Sequence, residues 1–179
     1  MNSNDILNFW FEEIPAAKWW TKDLDFDQMI KQRFSDIHQA ASRCELSDWR
    51  HSASGRLAEI IILDQFSRNM FRDLPGSFAS DPLALALAQE AISVGADKEL
   101  VQSQQNFLYM PFMHSESLLI HDVAVELYTQ NGSEFSLDFE IKHRDIIQKF
   151  GRYPHRNAIL GRESTPEELA FLTQENSSF

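Results

Sequence analysis

The feature that most constrains this chain is a hydrophobic period of about 3.6 residues that runs almost from end to end. Between Asp25 and Arg43, Phe26, Met29, Ile30, Phe34, Ile37 and Ala41 recur at i, i+3 and i+4 spacing. That spacing puts them on one stripe of a helix. No stretch shows sustained apolar–polar alternation with β-branched enrichment, so strands are not expected. Gly and Pro number six each and sit mainly between periodic segments. The pattern predicts an all-α fold.

A first helix is expected over Asn4 to Glu12, capped by Asn4 or Asp5 and stopped by Pro15. The second is the striped segment Asp25 to Arg43. Ser47 to Ser54 reads as a loop. The third runs from Gly55 to Phe71 and is apolar nearly all round between Leu57 and Leu63, as a central helix would be. Asp73 to Ser77 is a turn. Ser80-Asp81-Pro82 starts a fourth helix, with a capping side chain and Pro near N1, that ends near Gly95. A fifth, Ser103 to Met110, is kinked or ended by Pro111. The sixth, Ser115 to Tyr128, closes at Asn131-Gly132, and the seventh, Ser136 to Phe150, closes at Gly151. Residues 152 to 163 read as irregular, with room for one short turn. Thr165-Pro-Glu-Glu168 is a capping box that opens a short last helix, and Asn176 to Phe179 should fray. Seven to eight helices with short connections predict antiparallel hairpins in a single domain over residues 1–179. No repeat near a period of ~34 residues is evident.

Composition narrows the function. The chain has 179 residues and a formal net charge of −11. Such a surface repels nucleic acid and anionic membranes. The single cysteine, Cys44, excludes an intramolecular disulfide framework and a zinc site of several thiolates. No basic, apolar leader is visible at the N-terminus, and no apolar run approaches the ~20 residues of a membrane span. A cytoplasmic location is the expectation. The charge is also unevenly spread. Lys142 to Arg162 holds six basic residues and one acid.

Three segments carry candidate chemistry. In Asp64-Gln-Phe-Ser-Arg-Asn-Met-Phe-Arg72, Asp64 and Arg68 are i, i+4 partners, as are Gln65 and Asn69. They read either as a surface ion pair at a helix end or as the lining of a polar pocket whose arginine fork suits carboxylate or phosphate. In Phe107 to Glu116, His114 and Glu116 follow an apolar run. They are a polar pair at a helix start or an acid/base pair. In Lys142 to Glu163, His143 lies on the apolar face with Phe139, Ile146, Ile147 and Phe150. It is either a satisfied core histidine or a ligand contact. Arg152, His155, Arg156 and Asn157 then crowd a short segment fixed by Gly151 and Pro154, where function often sits. The bland reading is a charge cluster near a helix C-terminus.

Other motifs fail. His143-Arg-Asp145 has Phe150 where a kinase catalytic loop needs Asn, and no Gly-rich phosphate loop precedes it. His-x-Glu at 114–116 lacks the Pro-Cys-x-x-Cys partner of zinc deaminases. His121-Asp122 is similar to the ligand pair of helical metal-dependent phosphohydrolases, but no second pair is placed to join it. The aromatic clusters Phe9-Trp-Phe11 and Trp19-Trp20 read as core or packing elements, or as the wall of a ligand groove.

Together with Ile6-Leu-Asn-Phe-Trp-Phe11, the segments Asp64 to Arg72, Tyr109 to Glu116 and Arg144 to Glu168 resemble the uncharacterised bacterial family known as domain of unknown function 924. The resemblance covers nearly the whole chain. It implies an all-helical, tetratricopeptide-like stack and brings no activity, substrate, cofactor or catalytic residue. Two positions depart from the family pattern: Ser67 stands where Pro is expected, and Tyr153 where Phe is expected.

The functional expectation is an anionic small molecule, phosphate or carboxylate, held in an Arg/His-lined pocket on which the three segments converge. Asp64, Gln65, Arg68, Asn69, His143, Arg152, Arg156 and Asn157 would bind it. His114, Glu116 and His155 would act as acid/base groups if there is turnover. No metal site is expected, and no cofactor or oligomeric state is indicated. The alternative is an interaction module that clamps a partner peptide or its carboxylate. A third reading makes the charged segments an internal network that fixes helix register.

Overall fold

The structure, a computed structural model, describes residues 1–175 and 177, and these are helices and turns with no strand. The fraying expected at Asn176 to Phe179 falls, apart from Ser177, outside the described residues. The chain groups into two compact units. One comprises Met1–Arg72 with Gly76–Pro111, the other Asp73–Pro75 with Phe112–Phe179.

In the first unit, α1 (Ser3–Asn8) starts at Asn2, earlier than expected, through a capping box with Asp5. A π turn, Phe9–Glu13, extends it. A 3-10 turn, Ala16–Trp20, precedes α2 (Leu24–Ser42), whose Asp23 cap accepts from the amides of Asp25 and Phe26. The expected stripe is in place: Ile30, Phe34 and Ala41 are fully buried. The expected loop at Ser47 contains a 3-10 turn, Ser47–His51.

The central apolar helix is built in three pieces. α3 (Ala53–Ile61) passes through a π turn, Ile62–Phe66, into α4 (Ser67–Met70). Leu57, Ala58, Ile60, Ile61, Ile62, Leu63 and Phe66 have no exposed surface. Phe66 meets Phe34 and Phe9 at centroid distances of 4.8 and 5.9 Å, and Trp10 meets Phe107 at 5.7 Å. Gly55 enters α3 pressed against the preceding turn. A Cβ there would lie 2.0 Å from the Trp49 carbonyl oxygen. Gly55→Ala is expected to destabilise the protein by about 1–3 kcal/mol, because backbone must shift to admit the methyl; urea unfolding measures it.

α5 (Asp81–Ser93) packs with Ala84, Ala88 and Ala91 buried. The Ser80 side chain makes no cap hydrogen bond, because its backbone is already helical (φ −95°, ψ −1°), whereas a capping residue is extended. Gly95 closes α5 in the left-handed region, and the 3-10 turn Ala96–Glu99 leads to α6 (Gln102–Met113). α6 passes through Pro111 rather than stopping. The proline is in the last turn, where it deletes one helical hydrogen bond close to an end that frays anyway.

The second unit is organised by a hairpin. α7 (Leu118–Asn131) ends at Gly132, with φ +78°, and α8 (Glu134–Phe150) begins from the Ser133 cap. The short link and extensive packing make the pair antiparallel. Gly151 closes α8, a 3-10 turn (Pro154–Arg156) follows, and α9 (Pro166–Phe171) begins at the expected Thr165–Glu168 capping box. Tyr153, fully buried, packs with Ile146, Ile147, Phe150 and Phe171. Among the described residues no helix is long and apolar enough to cross a membrane.

Candidate functional site

The first charged segment lies in the first unit, where the π turn sets its directions. Asp64 and Gln65 sit inside that turn and are buried. Gln65 Nε2 donates to Asp64 Oδ2 at 2.6 Å and contacts Met110 Sδ at 3.5 Å. The i, i+4 pair forms as expected: Arg68 Nη1 lies 3.1 Å from Asp64 Oδ1. The guanidinium also forks onto Asp81, at 3.0 and 3.1 Å. Asn69 turns elsewhere, so the expected Gln65–Asn69 pairing is not made. Its Nδ2 donates to Asp27 Oδ1 at 2.8 Å.

Asp27 is the centre of a clamp that the sequence did not reveal. Arg72 donates to both of its oxygens, Nε at 2.5 Å and Nη2 at 2.7 Å. Only 7% of Asp27 is exposed. Beside it opens a cleft of about 250 Å³, walled by Leu24, Asp27, Gln28 and Lys31 of α2 and by Asn69, Met70 and Arg72. Leu24, Gln28 and Lys31 follow i, i+4, i+7, so one face of α2 supplies them. Lys31 and Arg72 against Asp27 give the lining of this cleft a net positive charge in an acidic chain. The cleft's signal in the sequence is the polar edge of the second helix, beside the apolar stripe.

The second and third segments meet in the second unit. Glu116 accepts the Arg162 fork at 2.7 and 2.9 Å and the Tyr153 amide at 2.7 Å. Burial pushes its carboxyl up, but Arg162 and that amide outweigh burial and hold it below the usual range. Glu116 is therefore ionised and anchored at neutral pH. Arg156 Nη2 donates to the His114 carbonyl at 3.0 Å, and its guanidinium lies 4.6 Å from the Tyr153 ring centre. Arg152 forks onto Glu168 at 2.7 and 2.8 Å and donates to the Glu163 carbonyl. The Arg152 fork holds the Glu168 carboxyl well below the ordinary carboxylate range. Asn157 bridges Ser164, Glu168 and Arg162. The segment expected to be irregular is thus tied down residue by residue.

Four of the chain's six histidines belong to this unit. Three of them ring Tyr153, with centroid distances of 5.5 Å for His155, 5.8 Å for His143 and 6.3 Å for His121. His143 Nδ1 donates to the Phe139 carbonyl at 2.7 Å, and burial drives its pKa down to about 3. His121, absent from the expected site, is fully buried against Glu140, with Nδ1 2.6 Å from Oε1. Among the described residues, no three His, Cys, Asp or Glu side chains gather as metal ligands.

Comparison with known proteins adds a family and no activity. The family model described as bacterial protein of unknown function (DUF924) matches residues 6–176. A solved structure of a protein of unknown function from Agrobacterium tumefaciens is 43% identical, with a TM-score of 0.90. The match covers 95% of this chain and 96% of that one. No curated protein matches.

Proposed function

The chain belongs to DUF924, a bacterial family of unknown function, and from its own residues we propose that it binds a small anionic molecule in the first-unit cleft beside Asp27. The observation that carries this reading is that Lys31 and Arg72 both line this one cleft. Asp27 holds the Arg72 guanidinium through both of its oxygens, and Asn69 donates to Asp27 in turn. Gln28 adds an amide donor. The cleft volume lies below the roughly 300–1,000 Å³ of drug-sized sites, so phosphate or a short carboxylate suits it. Of the residues expected at the site, Asn69 lines the cleft. In the second unit, Arg152, Asn157 and Glu116 are engaged with one another's segments and support the network reading there.

Calorimetric titration tests it, with inorganic phosphate and acetate used separately. Binding is expected to weaken with salt, because the cleft is open to solvent. Lys31→Glu is expected to weaken it at least about tenfold, since reversing a charge beside the anion costs on the order of 1–4 kcal/mol. Unchanged affinity in Lys31→Glu would sink the reading.

A further inference from the structure

We propose that the second unit responds to acid through His143: proton uptake by this buried imidazole loosens the α7–α8 hairpin and the Tyr153 segment packed on it. The geometry sets up the response. His143 is 5% exposed, and its Nδ1 proton is already committed to the Phe139 carbonyl. A second proton would place a charge among cations and imidazoles. Arg156 lies over the Tyr153 ring that His143 touches, and charge on His114, His121 or His155 opposes charge on His143.

The neighbouring groups do not cancel this. On α8 and α7, Glu140 faces His121, and Arg144 is paired with Asp122 at the surface. The hydrogen bonds count the protons of the buried pair. His121 Nε2 faces the Ser115 carbonyl at 2.9 Å, so it must carry hydrogen. Tyr153 gives its own proton to the Met113 carbonyl and accepts from that same nitrogen. The 2.6 Å contact between Nδ1 and Glu140 needs one more proton between them. The folded pair therefore holds two protons. An opened histidine and glutamate also hold two between about pH 4.5 and 6.5, so the pair adds no acid dependence in that window. From the other elements, Glu116 is held by Arg162 and Glu168 by Arg152, both below the usual carboxylate range. They stay ionised through the same window.

The sign follows. His143 has a lowered pKa in the folded unit, so its stabilising contribution is full above about pH 6.5 and is lost as pH falls towards its folded value. Between pH 6.5 and 5.0 the opening constant should rise about tenfold, because the opened imidazole takes a proton near pH 6.5 and the folded one does not. Amide hydrogen exchange across Glu134–Phe150 in the full chain, corrected for intrinsic rates, reads this directly. His143→Gln keeps a donor and removes the titration, so its exchange should vary less than about twofold. His51→Gln, at an exposed position, should respond like the wild type. Opening that is pH-independent in the wild type, or equally acid-dependent in His143→Gln, overturns the proposal. Should His143→Gln not fold, nuclear magnetic resonance titration of the wild-type imidazole decides. His143 still neutral at pH 5 supports the proposal, and an ordinary midpoint near 6.5 overturns it.

Discussion

Tyr153→Ala is expected to cost about 3–5 kcal/mol in stability, the range for emptying a large aromatic site in a packed core. The side chain has no exposed surface and closes the core formed with Ile146 and Ile147. Its hydroxyl also donates to the Met113 carbonyl at 2.5 Å and receives the His121 imidazole. Truncation opens a cavity and removes partners from two buried polar groups at once. Tyr153→Phe separates the two contributions. It keeps the ring and should cost only about 1–2 kcal/mol, the value of a buried hydrogen bond with its acceptor left behind. Denaturant unfolding followed by circular dichroism measures both. Equal losses in the two variants would mean that the hydroxyl, and not the packing, dominates this core.

Asp27→Asn is expected to move stability and binding in opposite directions. The amide keeps the shape but removes the charge that receives the Arg72 fork and the Asn69 amide. Losing that charge should destabilise the protein by about 2–3 kcal/mol, since Arg72 is partly solvated and does not suffer the full cost of a buried unpaired ion. The same change raises the positive charge of the cleft wall. Phosphate affinity, measured on the folded variant, should rise several-fold as the opposing carboxylate is neutralised. A purely structural role for the clamp predicts the stability loss with no gain in affinity.

Local patterns in the sequence reported local structure well. The stripe Phe26 to Ala41, the Thr165–Glu168 capping box and the glycine stops at 132 and 151 all appear where spacing put them. The two π turns left no such mark, because neither Phe9–Glu13 nor Ile62–Phe66 carries a residue type or spacing that distinguishes a π turn from an α turn. Charge pairing was legible only at helical spacing. Asp64–Arg68 was visible, whereas Arg162–Glu116 and Arg72–Asp27 join distant segments that no local rule relates. For the same reason the residues that line the cleft are related by no local rule: Asn69 belongs to a conspicuous motif, and Lys31 and Gln28 belong to none. Ser67 and Tyr153, the departures from the family pattern, left the charged set unchanged. In the folded chain each lends a buried hydroxyl to a buried histidine, Ser67 to His38 and Tyr153 to His121.

In the proposed function the first-unit cleft takes the anion, while the basic segment of the second unit is tied into hydrogen bonds and ion pairs of its own unit. Amide chemical-shift mapping of the full-length protein during titration with inorganic phosphate tests that division most directly. Saturable shifts centred on Gln28, Lys31, Asn69 and Arg72, with Arg152 to Asn157 unmoved, are the predicted result. Saturable shifts centred on Arg152, His155 and Arg156, with the cleft unmoved, would contradict it.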